Sequence, residues 1–551
     1  MDYSTIQVQH DAPTPLYQQI ADQITLAAQQ EALKPEEKLP PIRRLADMLG
    51  VSPITVTQAY QALARAGVAG GQIGRGTFIL SAPVLIQEAT RATQGFPPID
   101  HVAPAPTRIL PPKDEEPQEW TREGWTMTLA RRVRTPRSVA LGQVFRQLLR
   151  GKPEQTLIDF SSGNPEASLF SLAHWQQIME QAGRSLDQES RQQGDVAAFQ
   201  YGPPMGDSAL RSFLTGYLQR FELHVTIDDI LLTSGTQQGL DLIARTFFEP
   251  GDSVYMEQFS YIAALDIFEQ YGVRVQPVPQ DEDGLQVEVF ERLLDAPQNR
   301  PRWLYTIPTA HSPTGICMTA ERRRKLAELA RTYNVLIIED DAFNELSYER
   351  GMPAPAIWSF APEGRVIYVK SFSKTTFPAV RLGCIVAAPE VLSSLVEKKG
   401  LVDRGTSLLV ARSVLTYLSS PAYERNLEQM RRVYRQRRDV LLAALERELG
   451  PLGCHWSRPL AGFSLLVTLP ASLQEMEVVE EAVAQGVIVA PGRFFTSTAA
   501  GTHNNTLRLA FADKSPEQLE AATQRLALAL RTLLQRGEQS TYPSRRLTTD
   551  V

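Results

Sequence analysis

The chain has 551 residues, of which 43% are hydrophobic and 21% charged, and its formal net charge is −6. That length predicts two or more domains with ample core, and the acidic balance argues against a bulk nucleic-acid coat or a membrane-surface protein. Cys317, Cys384 and Cys454 stand too far apart for a metal site or disulfide framework, no apolar run spans a bilayer and Met1-Asp2-Tyr3-Ser4 opens no signal peptide, so the expected setting is cytoplasmic.

Residues 15 to 30 place Leu16, Ile20, Ile24 and Ala27 on one face of a helix. A short helix from Pro41 to Leu49 buries Leu45 and Leu49. Gly50 ends it, where a left-handed cap needs glycine. Ser52 caps a third helix that starts at Pro53, a favoured order for a helix start. Val56, Ala59, Tyr60 and Leu63 face inward, and Gly67 stops this helix. Gly74-Arg75-Gly76-Thr77-Phe78-Ile79 then reads as a hairpin tip. Helix, short helix, glycine turn, helix and hairpin describe a winged helix-turn-helix.

The run Leu39-Pro40-Pro41-Ile42-Arg43-Arg44-Leu45-Ala46 continues into Leu49-Gly50-Val51-Ser52, Thr55-Val56, Ala59-Tyr60 and Gly74 to Phe78. Over residues 10 to 80 this pattern resembles the GntR-family DNA-binding domain. The resemblance implies DNA contacts from Arg43, Ser52, Thr55, Thr57 and the wing at Arg75 and Gly76, with a double-stranded operator as partner. Hydroxyls and arginines at a recognition-helix start reach phosphates and base edges. Pro53 stands where many relatives carry a basic residue. Through residue 80 there are six Lys or Arg against seven Asp or Glu, so one copy alone is expected to bind DNA weakly. The alternative is a helix-turn-helix used only for protein contacts.

Residues 81 to 135 read as a linker stiffened by Pro97, Pro98, Pro104, Pro106, Pro111, Pro112 and Pro117. Arg131, Arg132, Arg134 and Arg137 form a basic stretch, either an exposed face or a DNA contact. A second domain is expected over residues 136 to 535. It opens with a helix from about Val139 to Arg150 and the run Leu157 to Phe160. Strands are then predicted at Ile230–Thr233, Val254–Glu257, Val273–Val278, Trp303–Thr306, Leu336–Glu339, Val366–Val369 and Leu382–Ala387. Helices fill the gaps, notably 236 to 248 and 319 to 333. That alternation predicts an α/β domain with a mostly parallel sheet covered on both faces. A long helix from 421 to 448, a small α+β portion and a helix from Pro516 to Gln535 follow. The polar tail, residues 536 to 551, is expected to lack fixed structure.

Five features of this domain carry chemistry. Lys374 ends Ser371-Phe372-Ser373-Lys374, just after a buried strand, with Arg381 seven positions on. Burying an ammonium is costly. A lysine can hold an aldehyde as a Schiff base, and an arginine fork suits a phosphate. Taken alone, the motif favours a strand-end lysine reaching water. Ser234-Gly235-Thr236-Gln237-Gln238-Gly239 links a strand to a helix start, where backbone amides hold anions. Glu339-Asp340-Asp341 ends a strand, so a carboxylate there can pair with a protonated pyridine nitrogen. Pro313-Thr314-Gly315 gives a tight turn, and Arg508 in a late strand suits a carboxylate.

The order and strand-end positions of these motifs resemble fold type I aminotransferases, which use pyridoxal 5′-phosphate (PLP). The resemblance implies that Lys374 forms the internal aldimine and Asp340 pairs with the pyridine nitrogen. Gly235, Thr236, Ser371, Ser373 and Arg381 would bind phosphate, Gln237 would join the cofactor site, and Tyr261 would stack on the ring. Arg508 and Gly163 would take a ligand carboxylate. Tyr201 would reach the phosphate held by a second copy, which implies a homodimer. Two positions depart from the enzyme pattern. Ser312 stands for the usual asparagine, and Phe343 for the usual tyrosine, beside the ring's phenolic oxygen. The whole chain resembles MocR-type transcription regulators of the GntR family. The reading is a regulator that senses an amino acid, an amine or PLP itself by aldimine exchange at Lys374. A working aminotransferase with an accessory DNA-binding domain is the alternative.

Overall fold

The structure is a computed structural model. It describes residues 15–29, 37–65, 68–72, 76–79, 136–150, 157–193, 200–296, 302–348, 354–361, 364–497 and 505–540, with 3, 6, 8 and 32–34. The chain divides into two compact units, Met1–Glu119 and Trp120–Val551. The expected linker and residues 541–551 lie outside the described residues, as do Gly67, Gly74 and Arg75.

In the first unit, helices Leu16–Gln29, Ile42–Leu49 and Pro53–Arg65 precede an antiparallel pair, Ala69–Gln72 with Gly76–Ile79. Ile20, Ile24, Leu45, Val56, Ala59 and Leu63 bury their side chains together. Leu49, expected inside, is only half-buried. Gly50 turns the chain at φ +64°, with open space around its Cα. The Thr55 amide donates to Ser52 Oγ at 3.1 Å and caps the third helix. Tyr60 Oη donates to the Pro40 carbonyl at 2.7 Å and fastens that helix to the entry of the second.

The second unit is built on a seven-stranded sheet. Its order is Ile230–Thr233, Gly383–Val386, Val366–Ser371, Leu336–Asp341, Trp303–Thr306, Ser253–Glu257, Arg274–Val278. Gly383–Val386 runs antiparallel to both neighbours, and every other pairing is parallel. All seven predicted strands are present. Alternate residues feed two separate cores, Ile337, Val366 and Tyr368 on one face and Ile338, Ile367 and Val369 on the other. A sheet buried on both faces needs such continuous apolar runs.

The Ile158–Asp159 strand stays outside this sheet and pairs in parallel with Val487–Ile488. A smaller antiparallel sheet joins His455–Trp456, Ser464–Thr468, Thr506–Ala510 and Ala490–Pro491. The Pro516–Ser540 helix packs on Pro421–Glu448 and runs past the expected start of the tail at Arg536. Among the described residues, no helix is long and apolar enough to cross a membrane.

Candidate functional site

Parallel strands present their carboxyl ends on one edge, and ligands of open α/β sheets bind there. At that edge lies a cavity of about 340 Å³. Its lining brings together Gly163, Thr236, Gln237, Tyr261, Ser312, Asp340, Phe343, Ser371, Ser373, Lys374, Arg381 and Arg508. Gly235 adjoins it, because a Cβ there would lie 2.8 Å from Arg381 Nη2. Tyr201 is not brought in; its side chain is 80% exposed.

Lys374 follows Val366–Ser371, a strand whose six residues are all buried. Its Nζ donates to the Gly163 carbonyl at 2.9 Å. The same nitrogen lies 6.0 Å from the Phe343 ring centre and 5.7 Å from that of Phe463. Burial chiefly, with the Arg508 and Arg381 charges adding, pulls the ammonium down to about 8. A lysine so placed exposes a minor share of free amine at neutral pH and mostly free amine above pH 8, which favours nucleophilic chemistry.

Asp340 lies on the strand beside Lys374's, and Tyr305 Oη donates to its Oδ2 at 2.7 Å. Burial pushes this carboxyl up to about 7, and the charges of Asp341 and Glu257 add to the rise. A cation against it would reverse that shift. A protonated ring nitrogen is such a cation.

The phosphate cup is the turn into the Thr236–Phe247 helix. Gly235, its N-cap residue, has φ +87° and provides no side-chain cap. The first helix amides therefore lack intrahelical partners. Thr236 Oγ1 is buried with no hydrogen-bond partner. Arg381, itself at φ +51°, donates from Nη2 to the Ser234 carbonyl at 3.2 Å. An orphaned hydroxyl, open amides and a guanidinium around a glycine cradle fit a phosphate.

Arg508 is anchored by the Ser161 carbonyl, and its Nε is buried without a partner. Burial pulls this guanidinium down to about 10. A Cβ on Gly163 would come within 3.0 Å of Arg508 Nη1, so glycine keeps the space open. Phe343 packs edge-on against Phe463 at 5.0 Å, where a tyrosine would carry a hydroxyl. Ser312 lines the same wall.

Three features escaped the sequence reading. Tyr305 holds Asp340, but an apolar strand gives no sign of which tyrosine finds a carboxylate. Ser138 and Leu141 of the Arg137–Leu148 helix line the cavity. Arg137 is no exposed base: it donates to Glu269 at 2.6 and 2.9 Å and to Asp266 at 3.2 Å. Carboxylates more than a hundred residues away are invisible to local pattern.

In the first unit, Ser52 Oγ and Thr55 Oγ1 lie 2.8 Å apart, and Thr57 Oγ1 donates to the Pro53 carbonyl at 2.8 Å. Gly76 opens the second wing strand. The Arg43 side chain and all of Arg75 lie outside the described residues.

Residues 155–526 match the aminotransferase class I and II family, and residues 16–79 match the gntR family of bacterial regulatory proteins. The aromatic-amino-acid aminotransferase 1 of Thermococcus litoralis is 33% identical over 386 residues, 69% of this chain and 90% of that protein. The probable rhizopine catabolism regulatory protein MocR of Rhizobium meliloti is 26% identical over 485 residues, 87% of each chain. The solved alpha-aminoadipate aminotransferase LysN of Thermus thermophilus, complexed with N-(5′-phosphopyridoxyl)-L-leucine, matches with a TM-score of 0.63 and 31% identity. That match covers 75% of this chain and 99% of LysN. Aminotransferases of this family depend on PLP. The chain belongs to the aminotransferase class I and II family in its second unit and to the gntR family in its first, the fusion found in MocR-type regulators.

Proposed function

We propose that the chain is a transcription regulator whose second unit holds PLP on Lys374 and senses an amino acid or amine, or PLP itself, at that lysine. The observation that carries this reading is the meeting of Lys374, Asp340, Thr236 and Arg381 in one cavity with Phe343, which has no hydroxyl to offer. Bound PLP supplies an aldehyde and an electron sink.

The chain's own groups divide the remaining work. The open amides of the Thr236–Phe247 helix, with Thr236, Gln237, Ser371, Ser373 and Arg381, bind the phosphate. Asp340 holds a proton on the ring nitrogen, and Tyr305 holds Asp340. Tyr261, half-buried at the cavity wall, orients the ring. Arg508 binds an effector carboxylate in the space that Gly163 leaves. Lys374 would hold the aldehyde, and its Nζ, once free, would accept and return a proton beside the Gly163 carbonyl. Turnover needs accurate ring orientation as well, and Phe343 and Ser312 support it less than the usual pair.

A second copy completes the arrangement. Tyr201 and Leu401 are 80% and 84% exposed, and a homodimer would cover them. Ligand-dependent dimer conformation would then set the affinity of the paired helix-turn-helix units for an operator.

The test is an absorbance screen of the purified protein against amino acids and amines, run beside a keto-acid assay. A stable spectral change with little keto acid is expected. Turnover at the roughly 10 per second typical of enzymes would overturn the sensor reading in favour of an aminotransferase.

A further inference from the structure

Lys399 lies in the Pro389–Val402 helix with no exposed surface. A buried ammonium is tolerated only when paired. Its Nζ donates to both carboxylate oxygens of Asp403, at 2.7 and 2.8 Å. The carboxylate is thereby held in one orientation. It accepts two further bonds, from Gln238 Nε2 at 2.7 Å and from the Gly405 amide at 2.9 Å.

Gln238 uses its other amide atom as well. Its Oε1 accepts from the Ser234 amide at 2.7 Å. A carboxylate at one end and a backbone N–H at the other admit one orientation of the amide. Gln238 is the third residue of the Thr236–Phe247 helix. A glutamine there often reaches back to the N-cap amide. Here it reaches one residue further, to Ser234, so the amides of the cup stay open. Ser234 is also the residue whose carbonyl receives Arg381.

At the other end, Asp403 shapes the segment under Tyr201. Arg404 and Gly405 have φ of +57° and +131°. A Cβ at Gly405 would lie 3.1 Å from the Pro203 carbonyl oxygen. The Arg404 guanidinium lies 5.2 Å over the Tyr201 ring.

We propose that Asp403, oriented by the buried Lys399, is a positioning residue for the phosphate cup. Through Gln238 it fixes Ser234 to Thr236, and it joins that turn to the loop beneath Tyr201. The inference rests on the PLP reading above. Neither Lys399 nor Asp403 lines the cavity, so each acts through Gln238 and the turn.

The test compares PLP with pyridoxal, which lacks the phosphate. Each is titrated by visible absorbance into full-length, cofactor-stripped protein, wild type, Gln238→Met and Asp403→Asn. Gln238→Met leaves the Lys399–Asp403 pair whole, so it stays informative if Asp403→Asn fails to fold. Losing one bond that fixes the turn should weaken PLP binding about tenfold, with pyridoxal affinity unchanged. The ³¹P resonance of bound PLP should shift as well. Unchanged PLP affinity in Gln238→Met, or an equal loss for both compounds, overturns the proposal alone. Wild-type protein that takes up neither compound overturns the PLP reading and this proposal with it.

Discussion

Two titratable side chains that line the cavity have displaced proton affinities, and each makes a prediction. Lys374 falls from its ordinary 10.5 to about 8. Between those values the unfolded chain holds a proton that the folded chain has lost, so this residue's contribution to stability rises with pH. The free amine also appears through pH 8, so the rate of PLP capture should climb there and level off above it. Stopped-flow absorbance across that range checks it, and removing the Arg508 charge should move the midpoint upward. Asp340 behaves oppositely. It rises from 3.8 to about 7, so in cofactor-free protein its contribution is lost as pH climbs through that window. Thermal melts with and without PLP should therefore diverge as pH goes from about 5 to 8. The third residue is Phe343, which lines the cavity. Phe343→Tyr places a hydroxyl toward that space at a stability cost of about 1 kcal/mol or less. It should lower the pKa of the visible band and raise any keto-acid production. A band pKa that does not move would show that Phe343 lies away from the phenolic oxygen.

Among the elements, those with a strong period were legible. The inner strands, such as Val366–Ser371 and Trp303–Thr306, carry buried apolar runs, because a sheet covered on both faces demands them, while the edge strand Arg274–Val278 is broken by Gln276 and Pro277. The motifs at their carboxyl ends were legible for the same reason. A lysine, a carboxylate and a Gly-Thr turn each stand out where a buried strand stops. Two-residue strands such as His455–Trp456 and Ala490–Pro491 carry no period to read. Long-range pairing was equally hidden: nothing near Arg137 in sequence announces Glu269, and nothing near Gln238 announces Asp403. Gly50 makes the clearest local prediction. Nothing lies within 4 Å of a Cβ there, so a substitution is opposed by its φ of +64° alone. Gly50→Ala should destabilise the helix-turn-helix unit by roughly 1 kcal/mol. A denaturant titration of that unit's signal in the full chain checks the sign and the size.

The whole molecule joins a DNA-binding unit with no net basic excess to a cofactor unit expected to pair. The weak binding expected of one copy would make operator affinity sensitive to how two copies are held. Arg43→Ala should weaken binding across sequences and lower the salt slope by about one unit if it holds a phosphate; an unchanged slope would remove it from the interface. Lys374→Ala should leave the fold intact while abolishing borohydride fixation of PLP to the chain. The central claim is that occupancy at Lys374 governs the grip on DNA. The most direct test measures affinity for DNA selected from a random pool, with PLP and a panel of amino acids and amines, for wild type and Lys374→Ala. At least one compound should change wild-type affinity, and none should change the variant's. An identical response in Lys374→Ala, or wild-type affinity indifferent to PLP and to every amine, would contradict that claim.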